Sequence, residues 1–443
     1  MYYIDQAHYE IDLQYYIYRN DSAGKILNKA LLDAADRGVR IRLLVDDFGQ
    51  IDDDALLAFS HHSHIQVKLF NPVKYRKFRY VEMLAKFSRQ SRRMHNKVFI
   101  VDDHVSILGG RNIGDMYYFR HGELAFSDLD VLAIGDIVKD LKKSFLRFWQ
   151  HELARDIESI LGSTDLRKHN RYLDQLERFT GSKTYVNIQK AIGTNQFLAS
   201  IKNQQVDFEE TTAQIVCDHP DKILNVRQDK QYGLAEYLWK IFDNVEHSVL
   251  LVSPYFVPGR RLIRRLRYWK RKGYPVTILT NSLSASDVPI VHSAYSRYRR
   301  RLLRSKVDLW ELKSAFPEFL KEKNQRKKIS RTRESLHAKT LVLDTRTVFI
   351  GSMNLDHRSI NINTEVGIFI ESEKLAYRIS QAIYQQLPEK AWQLDLTKLQ
   401  QVAWYDQTQS DKKCIALGTE PHTSLWARFR VWVYSLLPIE SLL

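Results

Sequence analysis

The sequence predicts an α/β protein made of two similar tandem domains, each a mixed or parallel β-sheet flanked by helices. Three observations predict this. A motif occurs twice with identical spacing, a strand–helix–strand pattern precedes each copy, and the 443-residue chain is too long for one ordinary core.

The first copy runs Met94-His95-Asn96-Lys97-Val98-Phe99-Ile100-Val101-Asp102 and continues to Gly109-Gly110-Arg111-Asn112. The second runs Leu336-His337-Ala338-Lys339-Thr340-Leu341-Val342-Leu343-Asp344 and continues to Gly351-Ser352-Met353-Asn354. Both read H-x-K-x4-D-x6-G-[GS]-x-N, a coincidence that chance hardly supplies.

Upstream of the first copy, residues 11–18 read as a strand, 23–37 as a helix stopped by Gly38, and 40–45 as a buried strand. Upstream of the second, 248–252 read as a strand, 260–272 as a helix stopped by Gly273, and 276–280 as a strand. Short connections between such elements mark βαβ units. The first domain is expected over 1–160, a helical connector over 161–210, the second domain over 211–400 and an amphipathic tail over 401–443.

In a strand, residues two apart share a face, so His95 projects with Lys97 and His337 with Lys339. Asp102 and Asp344 follow their histidines by seven positions, an odd offset that favours a supporting place in the catalytic set. Small residues at 109–110 and 351–352 permit close backbone approach and deliver Asn112 and Asn354, amides able to donate to a phosphate oxygen. Two imidazoles, two lysines and two amides make an anion site with proton-transfer capacity near neutral pH.

The repeated pattern resembles the HKD motif of the phospholipase D superfamily, over most of the chain. Residues 351–359 with Asn363-Thr364-Glu365, and the openings Asp12-Leu13-Gln14-Tyr15-Tyr16-Ile17 and Ser253-Pro254-Tyr255-Phe256-Val257-Pro258, resemble bacterial cardiolipin synthases, most of all their short type C form. The resemblance implies two phospholipase D-like domains related by a pseudo-twofold, with the active site at their interface and no cofactor or metal. It implies a phosphohistidine mechanism in which one histidine attacks phosphorus and the other serves as acid and base, His95 being favoured as nucleophile. Phosphatidylglycerol and a second phospholipid would be the substrates. The resemblance also assigns Glu365 and Asp130 to orienting the histidines.

The net charge of +15 points to a polyanionic partner. Residues 74–93 interleave basic side chains with Tyr75, Phe78, Tyr80, Leu84 and Phe87, a pattern suited to the boundary of an anionic bilayer. Residues 260–272 and 297–306 carry eight and six basic residues, partly as solvated helix faces. The aromatic tail over 423–437 fits either an interfacial anchor or a helix docked on its own domain. His61, His62 and His64 lack metal-ligand spacing and read as surface residues. Cys217 and Cys414 cannot build a disulfide framework and read as reduced thiols. No apolar run is long enough to span a bilayer, and no secretory signal follows Met1. The chain begins close to its first strand, which leaves open a segment upstream.

Together these readings describe a phosphatidyltransferase peripheral to the cytoplasmic face of the inner membrane, with room for a small membrane-protein partner. The rival classes are a phospholipase D that uses water as acceptor and a nuclease of the same superfamily. The aliphatic residues within the basic stretches, and the lack of a separate nucleic-acid-binding module, disfavour the nuclease.

Overall fold

A computed structural model describes residues 1–48, 52–73, 91–118, 124–163, 165–224, 233–314, 333–408 and 413–437. Most of the basic aromatic stretch, residues 74–90, lies outside these.

The first domain contains β1 (Glu10–Tyr15), β2 (Arg40–Asp46), β3 (Ile65–Phe70), β4 (Val98–Val101), β5 (Val105–Gly109), β6 (Leu124–Ser127), β7 (Asp130–Ile134) and β8 (Ala154–Asp156). All but β6 form a seven-stranded sheet in the order β7-β5-β4-β1-β2-β3-β8. Strands β1, β2 and β3 are parallel, and β4 runs antiparallel to β1. The helix Ser22–Asp36 makes the crossover between β1 and β2, and Asp21 caps it by accepting from the Gly24 amide.

The second domain repeats this plan and enlarges it. Its strands are β9 (Thr212–Cys217), β10 (Val249–Val252), β11 (Val276–Asn281), β12 (Asp308–Leu312), β13 (Arg333–Leu336), β14 (Thr340–Leu343), β15 (Thr347–Gly351), β16 (Val366–Glu371), β17 (Ala391–Leu396), β18 (Val402–Asp406) and β19 (Lys413–Leu417). Ten of them form the sheet β19-β18-β17-β12-β11-β10-β14-β15-β16-β9. Again three strands, β10, β11 and β12, are parallel, and β14 runs antiparallel to β10. Residues 402–406 and 413–417, expected in an amphipathic tail, instead extend this sheet, because Val402, Ala403 and Trp404 are buried against it. Among the described residues, the helical part of that tail is Leu425–Ser435. Helices between Ile157 and Lys202 join the two halves.

Period-two alternation explains how the halves meet. Val98 and Ile100 of β4, and Val342 of β14, face a core shared by both sheets. Phe99 and Val101 face the outer core of the first domain. Leu341 and Leu343 face that of the second. Strand β6 leaves its own domain's sheet and pairs in parallel with β13, immediately before the second motif.

Candidate active site

Each motif histidine precedes its strand and is held by the opposite domain. The His95 amide donates to the Thr364 carbonyl (2.9 Å), and the Thr364 amide to the Arg93 carbonyl (3.0 Å). In the other half, the His337 amide donates to the Ser127 carbonyl (2.8 Å), as the continuation of the β6–β13 pairing. Thr364 and Ser127 are therefore equivalent, and the residue after each presents a carboxylate to the imidazole. Glu365 lies 2.9 Å from Nδ1 of His95. Asp128 lies 2.5 Å from Nδ1 of His337.

This corrects one expectation. Asp130, assigned to orienting a histidine, is instead the first residue of β7, where it pairs with the Arg111 guanidinium at 2.6 Å. Arg111 also donates to the Asp128 carbonyl at 2.8 Å, so Asp130 acts on the loop that holds Asp128. Asp130 stands opposite Gly109 in the ladder, as Gly367 stands opposite Gly351. The counterpart of Glu365 is therefore Asp128, two residues earlier.

The small residues at 110 and 352 have different work. A Cβ at Gly110 would clash with both carboxylate oxygens of Asp128. At the equivalent position Ser352 has its Oγ hydrogen-bonded to Glu365, and it accepts from the Val366 amide at 3.0 Å. One half leaves space for its carboxylate, and the other tethers it.

Lys97 and Lys339 each hydrogen-bond the carbonyl of their own histidine, and both are almost fully buried. Each also acts electrostatically on the histidine of the other motif, so the four groups share one site. The Tyr16 ring meets His95 edge-on at 5.0 Å, and Tyr117 meets His337 likewise at 5.2 Å. Asn112 and Asn354 are buried beside the motifs. The Asn112 oxygen accepts from the Ile17 amide (3.0 Å) and its nitrogen donates to the Tyr117 hydroxyl (2.9 Å). The Asn354 oxygen has no hydrogen-bond partner among the described residues.

The motif aspartates stand outside this constellation, which corrects their place in the catalytic set. Asp102 accepts from the amides of His8, Tyr9 and Glu10, each at 2.8 Å. Asp344 accepts from Glu246, His247 and Ser248 at 3.0, 2.7 and 2.9 Å. Both take left-handed φ values, 50° and 55°, at hairpin turns. Seven residues of extended chain put them roughly 20 Å from their histidines. They fix the entry of β1 and β10 against the motif strands.

Burial and the lysines' charge set the electrostatics. Burial, then Lys97, Lys339 and Arg358, hold the His95 imidazole well below its usual pKa. Burial and Lys339 lower His337 to about 4. Burial lowers Lys97 to about 7 and also lowers Lys339. Burial raises Glu365 to about 7, whereas the surroundings of Asp128, His337 foremost, outweigh its burial and keep it below the usual carboxylate range. These shifts favour neutral imidazoles beside the two lysines, an arrangement that gains charge when an anion enters.

Elsewhere, Glu10, Asp12 and Asp103 bring three carboxylates together, but Lys142 already pairs with all three and Arg42 with Glu10 and Asp12. His61 and His64 are exposed and His62 half-buried on the surface of the first domain, where His62 lies 3.2 Å from Asp36.

The fold and this paired site define a class, the phospholipase D superfamily with two HKD motifs in one chain. The chain belongs to the family described as cardiolipin synthase, PLD-like domain, which matches residues 1–149 and 238–387. It is 38% identical to cardiolipin synthase C of Escherichia coli over 441 residues, covering 99% of this chain and 92% of that protein. It is 25% identical to a cardiolipin synthase of Staphylococcus aureus over 380 residues, covering 85% of this chain and 62% of that protein. Among solved structures, phosphatidylserine synthase of Haemophilus influenzae superposes with a TM-score of 0.58 at 13% identity, covering 100% of this chain and 92% of that one, a likeness of fold. By family the chain is a phospholipase D-superfamily phosphatidyltransferase.

Proposed function

We propose that the chain joins two phospholipids into cardiolipin by transferring a phosphatidyl group to phosphatidylglycerol through a phosphohistidine. The observation that carries this reading is the pair of imidazoles, each backed at Nδ1 by a carboxyl group from the opposite domain and flanked by buried lysines. With Nδ1–H directed to its partner, each imidazole carries its lone pair on Nε2, the atom that bonds phosphorus or a proton in this mechanism.

The two histidines differ in their partners. Asp128 is held ionised, which stabilises an imidazolium at His337. His337 therefore serves as acid and base, and His95 as nucleophile. The entering phosphodiester, an anion, raises the affinity of His337 for a proton. His95 Nε2 then bonds to phosphorus, the phosphorus–oxygen bond to the departing alcohol breaks, and His337 gives that oxygen its proton. In the second half His337 takes the proton from the free glycerol hydroxyl of phosphatidylglycerol, whose oxygen attacks phosphorus and releases His95. Lys97 and Lys339 balance the charge that develops on the phosphoryl oxygens. Asn112 and Asn354 border the same oxygens.

The substrates place the chain at an anionic bilayer, peripheral to the inner membrane, a setting in which a small membrane protein could present the acceptor. No helix among the described residues is long and apolar enough to cross a membrane.

Trapping tests the mechanism. In a His337→Asn variant the second half slows, so intact mass measurement after lipid addition should show a phosphatidyl adduct at His95. An adduct at His337 in the reciprocal His95→Asn variant would reverse the roles. No adduct in either would remove the covalent intermediate from the account.

A further inference from the structure

Of the helix Leu425–Ser435 only Val431 is buried, so the helix covers its own domain with one edge. It is built firmly. Ser424 caps it by accepting from the Ala427 amide, and Val431 is buried against the domain. The segment before it is pinned by Glu420, which reaches Arg299 at 2.5 Å and His292 at 3.1 Å. At its end Arg297 donates to the Leu437 carbonyl at 3.3 Å.

The opposite face is apolar and open. Trp426, Phe429 and Trp432 are 64%, 50% and 57% exposed, in a helix whose tertiary contacts hold it in place. Their rings form a ladder, with centroids 5.6 and 5.9 Å apart. At 100° per residue, Leu425, Val433 and Leu436 fall on the same arc, Arg428 and Arg430 on its two flanks, and Val431 behind it. Exposed Arg297, Arg300, Arg301 and Arg304 lie on the neighbouring segment. An apolar arc rimmed by cations is complementary to an anionic lipid surface, where the rings enter the headgroup boundary and the guanidinium groups stay among phosphates.

Position ties this face to the chemistry. The helix packs on the helix Pro289–Ser296. Just before that helix stands Asp287, which accepts from the Tyr255 hydroxyl at 2.8 Å and acts electrostatically on Lys339 and Tyr117 in the site. We infer that the Trp426-Phe429-Trp432 face is the bilayer-docking element, which sets the mouth of the site against an anionic membrane surface. The inference rests on the phosphatidyl-transfer reading for its partner, and its test does not.

The full chain and a Phe429→Glu/Trp432→Glu variant are sedimented with vesicles of phosphatidylcholine, with and without phosphatidylglycerol, at low and high salt. The parent should bind the anionic vesicles, more weakly at high salt. The variant should partition at least ~10-fold less, while turnover of phosphatidylglycerol with short, dispersed chains stays within about 2-fold because the site is untouched. Equal partition of parent and variant overturns the inference. So does a parent that light scattering shows to be a dimer and the variant a monomer, since the face then covers a second copy. A parent that docks but turns over no dispersed lipid overturns the catalytic reading and leaves the docking face standing.

Discussion

Asp128 of the first domain lies 2.5 Å from Nδ1 of His337 in the second. The contact spans 209 positions of sequence and mirrors that of Glu365 with His95, so each domain completes the other's histidine.

Replacing Asp128 should therefore cost far more activity than replacing Asp130. Asp128→Asn removes the group that fixes the His337 tautomer, and kcat should fall about a hundred- to ten-thousand-fold. Asp130→Asn weakens only the tie to Arg111 and should cost less than about ten-fold. Steady-state kinetics on the two variants decide the matter, and equal losses would reject the assignment.

Gly110→Ala should behave like a mild form of Asp128→Asn. The added Cβ displaces the Asp128 carboxylate, because its oxygens fill that space. Ser352→Ala keeps the space and loses only the tether on Glu365. The expected order of kcat is parent, then Ser352→Ala, then Gly110→Ala. A Gly110→Ala enzyme as active as the parent would show that the carboxylate has room elsewhere.

Lys97, lowered by burial to about 7, is charged below that pH and neutral above it. Phosphate binding by the lipid-free protein should therefore weaken as pH rises through about 7, and a Lys97→Met variant should lose that dependence. At a fixed pH near 7 the parent should take up protons on binding inorganic phosphate, since the anion draws protons to Lys97 and the histidines. Calorimetry in two buffers of different ionisation enthalpy measures the uptake; proton release would contradict the electrostatics described above.

His337 has a folded pKa of about 4 against an ordinary value of 6.5, so the unfolded chain binds its proton first as pH falls. The stability this histidine confers is full above 6.5 and declines as pH drops through 6.5 towards 4, by about 3 kcal/mol at most. The melting temperature should fall over that window, and His337→Gln should flatten the fall. An unchanged slope would mean that the imidazole is not held neutral in the fold.

Much of this architecture was legible in the sequence because it is written twice. The repeated spacing placed His95, Lys97, His337 and Lys339. Asp102 and Asp344 were legible as facing away from the histidines, but their role was not. Their acceptor bonds go to backbone amides of residues more than ninety positions earlier, which carry no side-chain signature. Asp128 was missed for a related reason. Two aspartates stand two apart at 128 and 130 on one strand parity, and in the structure the pairing of Gly109 with Asp130 tells them apart. The difference between Gly110 and Ser352 was the available signal, because a missing side chain beside one carboxylate and a hydroxyl beside the other mark where each carboxylate sits. Strands β18 and β19 were hidden because aromatic residues such as Trp404 suit a sheet edge as well as a membrane interface.

The most direct test is the lipid content of a bacterial host without cardiolipin synthases, measured by mass spectrometry after expression of the parent chain or its His95→Ala variant. The account predicts cardiolipin with the parent and none with the variant. Phosphatidic acid without cardiolipin from the parent, or cardiolipin from the variant at the parent's level, would contradict it.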